Sequence, residues 1–262
     1  MIKKMVKLFK RFARETFLDI KSIFGFKITI FRLKSGELFR IRNIDRVGRK
    51  IFNEEKFEKG IIDIMLSRIE RGMTVVDVGA NIGYYSVLMA SKVGLSGRVI
   101  SFEPNPMMLE ELKCNIEMNR FENISIQQTA IADQNGYKTF FVPSLGMEAH
   151  GSFKQNETFK TFKSISVQTE KLDDALARLD IQHVDLIKID AEGAEKFIFE
   201  GATKLLSLSR NKPVLVFECS ETLCRVFGHR SYDVLSFVSS FGYCLEEIAW
   251  GVWLAVPRDP NV

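Results

Sequence analysis

Residues 188–195 read KIDAEGAE, so Lys188, Asp190, Glu192 and Glu195 fall within eight positions. A strand ending here puts Lys188 and Asp190 on one side and Ile189 on the other. Core packing has no use for that density of charge. The plainer reading, acids gathered at a helix N-terminus by the macrodipole, suits Glu195 but not Asp190 at the strand end. A further carboxylate, Glu218, follows the apolar run VLVF at 214–217. Asp190, Glu192 and Glu218 converging on one cleft suit acid/base work or the stabilisation of a cation. Lys188 would be their electrostatic or orienting partner.

A second cluster lies upstream, where an apolar run ends in DVGANIG at 77–83. Gly79 and Gly83 allow a tight turn into a helix whose free N–H groups can meet an anionic group. A dinucleotide site would place glycine in the middle slot, to admit a pyrophosphate. Here that slot is Asn81, which favours a nucleoside ligand without pyrophosphate over NAD. The acid Glu103 follows 24 residues after Gly79, where it can accept both ribose hydroxyls. An ordinary strand–helix turn beside a solvent-facing Glu is the alternative.

These positions need strand ends to hold them, and the sequence supplies the strands. TVVDV (74–78), RVISF (98–102), residues 124–128, VDLIKI (184–189) and VLVF (214–217) read as strands. Helical stretches at 82–92, 107–119, 195–206 and 232–240 separate or follow them. Such alternation predicts a doubly wound, mostly parallel α/β sheet, with ligands beyond the carboxyl ends of its strands. Residues 243–248 and 252–256 are too close for a helical crossover and should pair antiparallel.

The net charge of +4 conceals an asymmetry. Residues 1–50 hold 15 Lys/Arg and 4 Asp/Glu, a balance of +11, and the rest of the chain balances at −7. The expected division is an extension at 1–52 and a catalytic body at 53–262. Residues 1–23 read as a helix with Ile2, Met5, Val6, Phe9, Phe12, Ala13, Phe17 and Ile20 in one arc. Lys3, Lys4, Lys7, Lys10, Arg11 and Arg14 lie opposite. The first expectation is that the apolar stripe of residues 1–24 packs on the body or in a homodimer; the alternative is peripheral contact with a membrane. Residues 27–33 and 37–42 read as a hairpin around Ser35-Gly36. No apolar run approaches the ~18 residues of a membrane span, and charges interrupt the first stretch too often for a signal peptide. Cys114, Cys219, Cys224 and Cys244 form no CxxC pair, as expected of reduced thiols in a cytoplasmic protein, peripheral at most to the inner face of the membrane.

The segments VVDVGANIGYYS (75–86), ISFEPNP (100–106), TAIADQNG (129–136) and LIKIDAEGAE (186–195) together resemble the FkbM family of S-adenosylmethionine-dependent methyltransferases. Phe57-Glu58 is similar to that family's aromatic-Glu step before its first motif. The resemblance runs over about residues 53–220. It implies a class I methyltransferase (Rossmann-like) fold and O-methylation of a sugar, glycolipid or polyketide hydroxyl. It also implies that Asp77, Gly79, Ala80, Asn81, Gly83 and Glu58 surround the methionine part of the cofactor. Glu103 and Pro104 would hold the ribose, Ala130 and Ile131 border the adenine, Asp133 meet its amino group, and Asp190 join Asp77 near the amine.

Methyl transfer to an alcohol profits from a base or a metal. Asp190, Glu192 and Glu218 are the candidate bases. His150, in the loop at 143–162, is a further one, against the reading of a solvated histidine. His183 lies at the far end of its strand, which argues for a structural role. Asp190 and Glu218 could also imitate a Mg²⁺ site held by carboxylates at two strand ends. The acidic body and the absence of an N/D-P-P-Y/F motif disfavour a nucleic-acid partner. A small molecule or glycan is the expected acceptor, and a non-catalytic cofactor-binding or scaffold protein on the same fold is the remaining alternative.

Overall fold

The computed structural model describes residues 2–54, 57–144, 146–155, 158–208 and 210–258, and of residues 2–8 the backbone only. The chain begins with α1 (Ile2–Ile23), a hairpin of β1 (Ile28–Arg32) and β2 (Leu38–Arg42), and helices α2 (Arg46–Asn53) and α3 (Lys59–Ser67). Next come β3 (Thr74–Val78), α4 (Tyr84–Val93), β4 (Arg98–Phe102), α5 (Pro106–Met118) and β5 (Ile124–Gln127). A small sheet follows, with β6 (Ala130–Ile131), β7 (Gly136–Pro143) and β8 (Phe162–Glu170). A 3₁₀ turn, Glu148–His150, lies between β7 and β8. The chain then forms α6 (Leu172–Arg178), β9 (Leu186–Ile189), α7 (Glu195–Glu200), α8 (Thr203–Leu206) and β10 (Val214–Glu218). Last are α9 (Glu221–Val226), α10 (Ser231–Ser240), β11 (Tyr243–Ala249) and β12 (Val252–Pro257).

Seven strands form the central sheet in the order β5-β4-β3-β9-β10-β12-β11. The first five are parallel, and β12 joins β10 and β11 antiparallel. This is the doubly wound, mostly parallel sheet that the alternating pattern predicted, in the class I methyltransferase arrangement that the resemblance implied. Both faces of the sheet are covered, so its strands are apolar on both sides. Val75, Val99, Leu186 and Val216 pack under Met65 of α3 and Met89 of α4. Val76, Ile100, Ile187 and Leu215 face Leu172, Ile198 and Val234 from α6, α7 and α10. The chain leaves β3 toward β4 and later returns to its other side as β9, so the strand order reverses between β3 and β9. Ligands of such sheets bind at that crevice.

Two expectations change. The helix read at 195–206 is two helices, α7 and α8. At the break the Gly201 backbone lies so close to Ala132 that a Cβ would meet its carbonyl oxygen at 2.1 Å. Asp173 then caps α8 by accepting from Lys204 N and Leu205 N. The second change concerns α1. Its polar arc faces the body: Glu15 and Asp19 pair with Arg49 at 2.5 and 2.7 Å, and Arg14 donates to the carbonyls of Phe52 and Asn53. Among the described side chains of the helix Leu18 is the buried apolar one, whereas Phe9, Phe12 and Ile20 are exposed and Phe17, half exposed, stacks on Phe52 of α2. The stripe expected to pack on the body thus faces outward; its members Ile2, Met5 and Val6, and Lys3, Lys4 and Lys7 opposite, have side chains outside the described residues. Among the described residues, no helix is long and apolar enough to cross a membrane.

The hairpin is tied to α5 by amides. Asn119 and Asn115 accept from Leu38 N and Arg40 N, and each returns a bond to the same residue's carbonyl. Such side chain–backbone pairs satisfy a strand edge that would otherwise be open.

Candidate active site

The β3/β9 crevice opens into a cavity of about 330 Å³. Its floor is made of strand ends and the loops after them. Gly79 ends β3 with φ +77°, and a Cβ there would sit 1.9 Å from the Asp190 carbonyl oxygen. Only glycine allows this approach of the two strand ends. Asn81 follows in a left-handed conformation, φ 54°. The Glu103 carboxylate spans the next gap: Oε2 accepts from Asn81 N and Oε1 from Asn105 N, both at 2.8 Å. Burial pushes its pKa up to about 7, against the pull of those two N–H groups. Each oxygen keeps a lone pair for a further donor, such as a ribose hydroxyl.

Lys188 is a buried cation at the centre of the floor. Its Nζ lies 3.4 Å from Asp77 Oδ1, 3.6 Å from Asp190 Oδ2 and 3.3 Å from the Gly79 carbonyl oxygen, with the Tyr85 ring at 4.9 Å. Burial favours the neutral amine, but Asp77, Asp190 and Glu58 outweigh it, and the pKa is raised. Lys188 therefore stays charged and cannot serve as a base. Beside it, burial and the neighbouring Asp190 and Glu192 push the Glu218 pKa to about 10. Glu218 is accordingly protonated at neutral pH. Glu58, at φ 47°, accepts from Tyr85 Oη at 2.6 Å, and burial raises its pKa as well.

The roof is the 3₁₀ turn, held from below by amides. Asn105 donates to the Glu148 carbonyl and Asn81 to the Ala149 carbonyl, each at 2.9 Å. The turn carries His150 to the edge of the floor, where its Nδ1 meets Glu192 Oε1 at 2.6 Å. Glu192 adopts a left-handed φ of 52°, a conformation that costs about 1 kcal/mol or more at a non-glycine residue and clusters at functional sites. Its carbonyl accepts from Ser152 Oγ at 3.2 Å. Burial lowers the His150 pKa, but the hydrogen bond and charge of Glu192 outweigh that and raise it above the ordinary value.

Of the residues singled out in the sequence, Glu58, Gly79, Ala80, Asn81, Glu103, Pro104, Ala130, Ile131, Lys188, Asp190, Glu192 and Glu218 line the cavity. Four others do something else. Asp77 is wholly buried behind Lys188 and accepts from Ser86 Oγ at 2.5 Å. Gly83 starts α4 against Leu112. Asp133, read as a partner for an adenine amine, pairs with Lys138 at 2.6 Å. Glu195 accepts from Ala191 N and Gly193 N and so braces the loop after β9. Tyr85, Asn105 and the rings of Phe140 and Phe153 also border the cavity. Position in GYYS and FEPNP could have flagged the first two; nothing local marks the phenylalanines.

Residues 77–245 match the family profile described as the methyltransferase FkbM domain. The chain belongs to the FkbM methyltransferase family. It is 24% identical over 168 residues to the hexuronic acid methyltransferase AglP of Haloferax volcanii, covering 64% of this chain and 65% of AglP, just under two thirds of that relative's length. It is 25% identical over 195 residues to the 2-O-methyltransferase NoeI of Sinorhizobium fredii, covering 68% of this chain and 77% of NoeI.

The cavity of this FkbM methyltransferase fits S-adenosylmethionine. Glu58, Asp190, Glu192 and Glu103 line it, a set of acceptors suited to a ligand with ammonium, sulfonium and ribose diol groups and no phosphate. Ala130, Ile131 and Phe102 give an apolar border suited to a purine. When bound, that cofactor supplies an electrophilic methyl group. The residues do not fit Mg²⁺: Asp190 already faces the Lys188 ammonium, and no group of three ligating side chains occurs among the described residues.

Proposed function

We propose that this FkbM methyltransferase methylates a hydroxyl of a sugar-type acceptor, with His150 as general base and Glu192 as its positioning residue. The contact of 2.6 Å between His150 Nδ1 and Glu192 at the cavity edge carries the reading. With Nδ1 committed to Glu192, Nε2 is the nitrogen that can take the hydroxyl proton. Glu192 fixes the ring and stabilises the imidazolium as it forms. Of the carboxylates considered as bases, Glu218 is protonated, Asp190 is held by Lys188, and Glu192 acts through the histidine. Much of the remaining rate would come from the floor and roof aligning the acceptor oxygen. The name of AglP specifies a hexuronic acid and that of NoeI a 2-O position, which together support a sugar-type acceptor and transfer to oxygen.

The test is methyl transfer from labelled S-adenosylmethionine to a panel of hexuronic acids and neutral glycans, with products analysed by fragment mass spectrometry. The reading expects a methyl ether on a sugar carbon. A methyl ester, an N-methyl product, or no transfer to any glycan despite cofactor binding would contradict it. Adding a chelator should leave the rate unchanged.

A further inference from the structure

The helix α1 is mounted in reverse for an amphipathic segment of a globular protein. Such helices ordinarily bury the apolar stripe and expose the charges. Here Phe9, Phe12, Ile20 and Ile23 are 72%, 69%, 47% and 80% exposed, while Arg14, Glu15 and Leu18 face the body. The patch continues beyond the helix. Phe24 and Phe26 are exposed in the connection, and Ile28 and Ile30 project from the outer face of β1, where Thr29 between them is buried.

These parts are held as one surface. Lys21 Nζ donates to the Ile28 carbonyl at 3.2 Å and to Thr29 Oγ1 at 3.1 Å, and lies over the rings of Phe17 and Phe26. Exposed basic residues lie on the same elements as the patch: Lys10 on α1, Lys27 in the connection and Arg32 on β1. The four acids of residues 1–50 do not offset these charges: Glu15 and Asp19 pair with Arg49, Asp45 caps α2, and Glu37 is buried.

We infer that the outer face of α1, its connection and β1 docks on an anionic lipid bilayer. Exposed Phe and Ile side chains gain by entering the acyl boundary, and the cations on the same elements are attracted to acidic headgroups. A second copy of the chain is a poorer occupant, because a symmetric contact would set two groups of basic residues against each other. The interleaving of the phenylalanines with Ile20, Ile23, Ile28 and Ile30 suits acyl chains better than a platform of stacked nucleobases. The polar arc on the body is what this placement requires, since the protein then takes the side of the helix that water takes in an isolated surface peptide. Between the docking face and the active site lies α2, which holds α1 through Arg49 and lines the cavity with Val47, Lys50 and Ile51.

Co-sedimentation of the full chain with vesicles tests this, using phosphatidylcholine alone and phosphatidylcholine containing about one third phosphatidylglycerol. Binding should be at least roughly tenfold stronger on the anionic vesicles and weaken with salt. The variant F12S/I23S/F24S changes exposed positions, so it should keep its unfolding temperature and its cofactor affinity, yet lose about tenfold or more in vesicle binding. Cofactor affinity reads the methyltransferase site separately from the docking face. Equal partition onto both vesicles, no sedimentation, or binding unaltered in the variant would each overturn the inference. So would a dimer in analytical ultracentrifugation that the variant dissolves while vesicle binding is unchanged.

Discussion

The floor and the roof of the cavity are built by different means. The floor is backbone and buried charge: Gly79 against Asp190, Glu103 bridging two N–H groups, Lys188 between two aspartates. The roof is one short turn between β7 and β8, anchored by side-chain amides from Asn81 and Asn105 and by the His150–Glu192 contact. On the proposed mechanism, cofactor recognition lives in the part that cannot shift without disturbing the sheet, and proton transfer in a part that a single side chain can detach. Floor substitutions should damage binding or folding, and roof substitutions should damage turnover.

The largest expected effect is at Gly79. Gly79→Ala puts a Cβ into the Asp190 carbonyl at a backbone angle that L-residues avoid. It should destabilise the fold by about 3 kcal/mol or more, read as a fall in melting temperature with loss of cofactor binding in calorimetry. A soluble variant of near-normal stability and affinity would break the contrast at its strongest point.

Glu103 sharpens the contrast through pH. Its carboxyl is protonated below a pKa of about 7 in the free protein, whereas a diol donating to both oxygens prefers the carboxylate. Cofactor affinity should thus be flat above that pH and fall below it, approaching roughly tenfold per unit. Glu103→Gln should weaken binding by about tenfold or more and remove the slope. An unchanged slope in the variant would assign the titration elsewhere.

On the roof, Glu192→Gln removes the charge that raises the His150 pKa. The base acts when neutral, so the acid limb of the kcat profile should move to lower pH, by up to about one unit. A fixed limb would dissociate the two residues.

The floor was largely legible in the sequence because strand-end glycines and acids follow from local geometry: a tight turn needs Gly79, and a diol needs an acid such as Glu103. The sheet was legible for a similar reason, since its strands are continuous apolar runs. The roof was half legible. His150 stood out as one of three histidines, but its link to Glu192 spans 42 residues and no local pattern encodes it. Two further partners were not read from the sequence: Lys188 engages Asp77 from a distant strand, and Lys138 engages Asp133 from five residues on. The direction of the α1 stripe was hidden too, because periodicity defines two arcs and only Leu18, Glu15 and Arg14 reveal which one meets the body.

The most direct measurement is a paired one on His150→Gln: calorimetric titration with S-adenosylmethionine and single-turnover methyl transfer to the same acceptor. Division of labour between floor and roof predicts cofactor affinity within about twofold of the parent protein and a methyl-transfer rate lower by roughly 10²–10⁴-fold. A parent-like rate, or a loss of activity explained wholly by lost cofactor affinity, would contradict it.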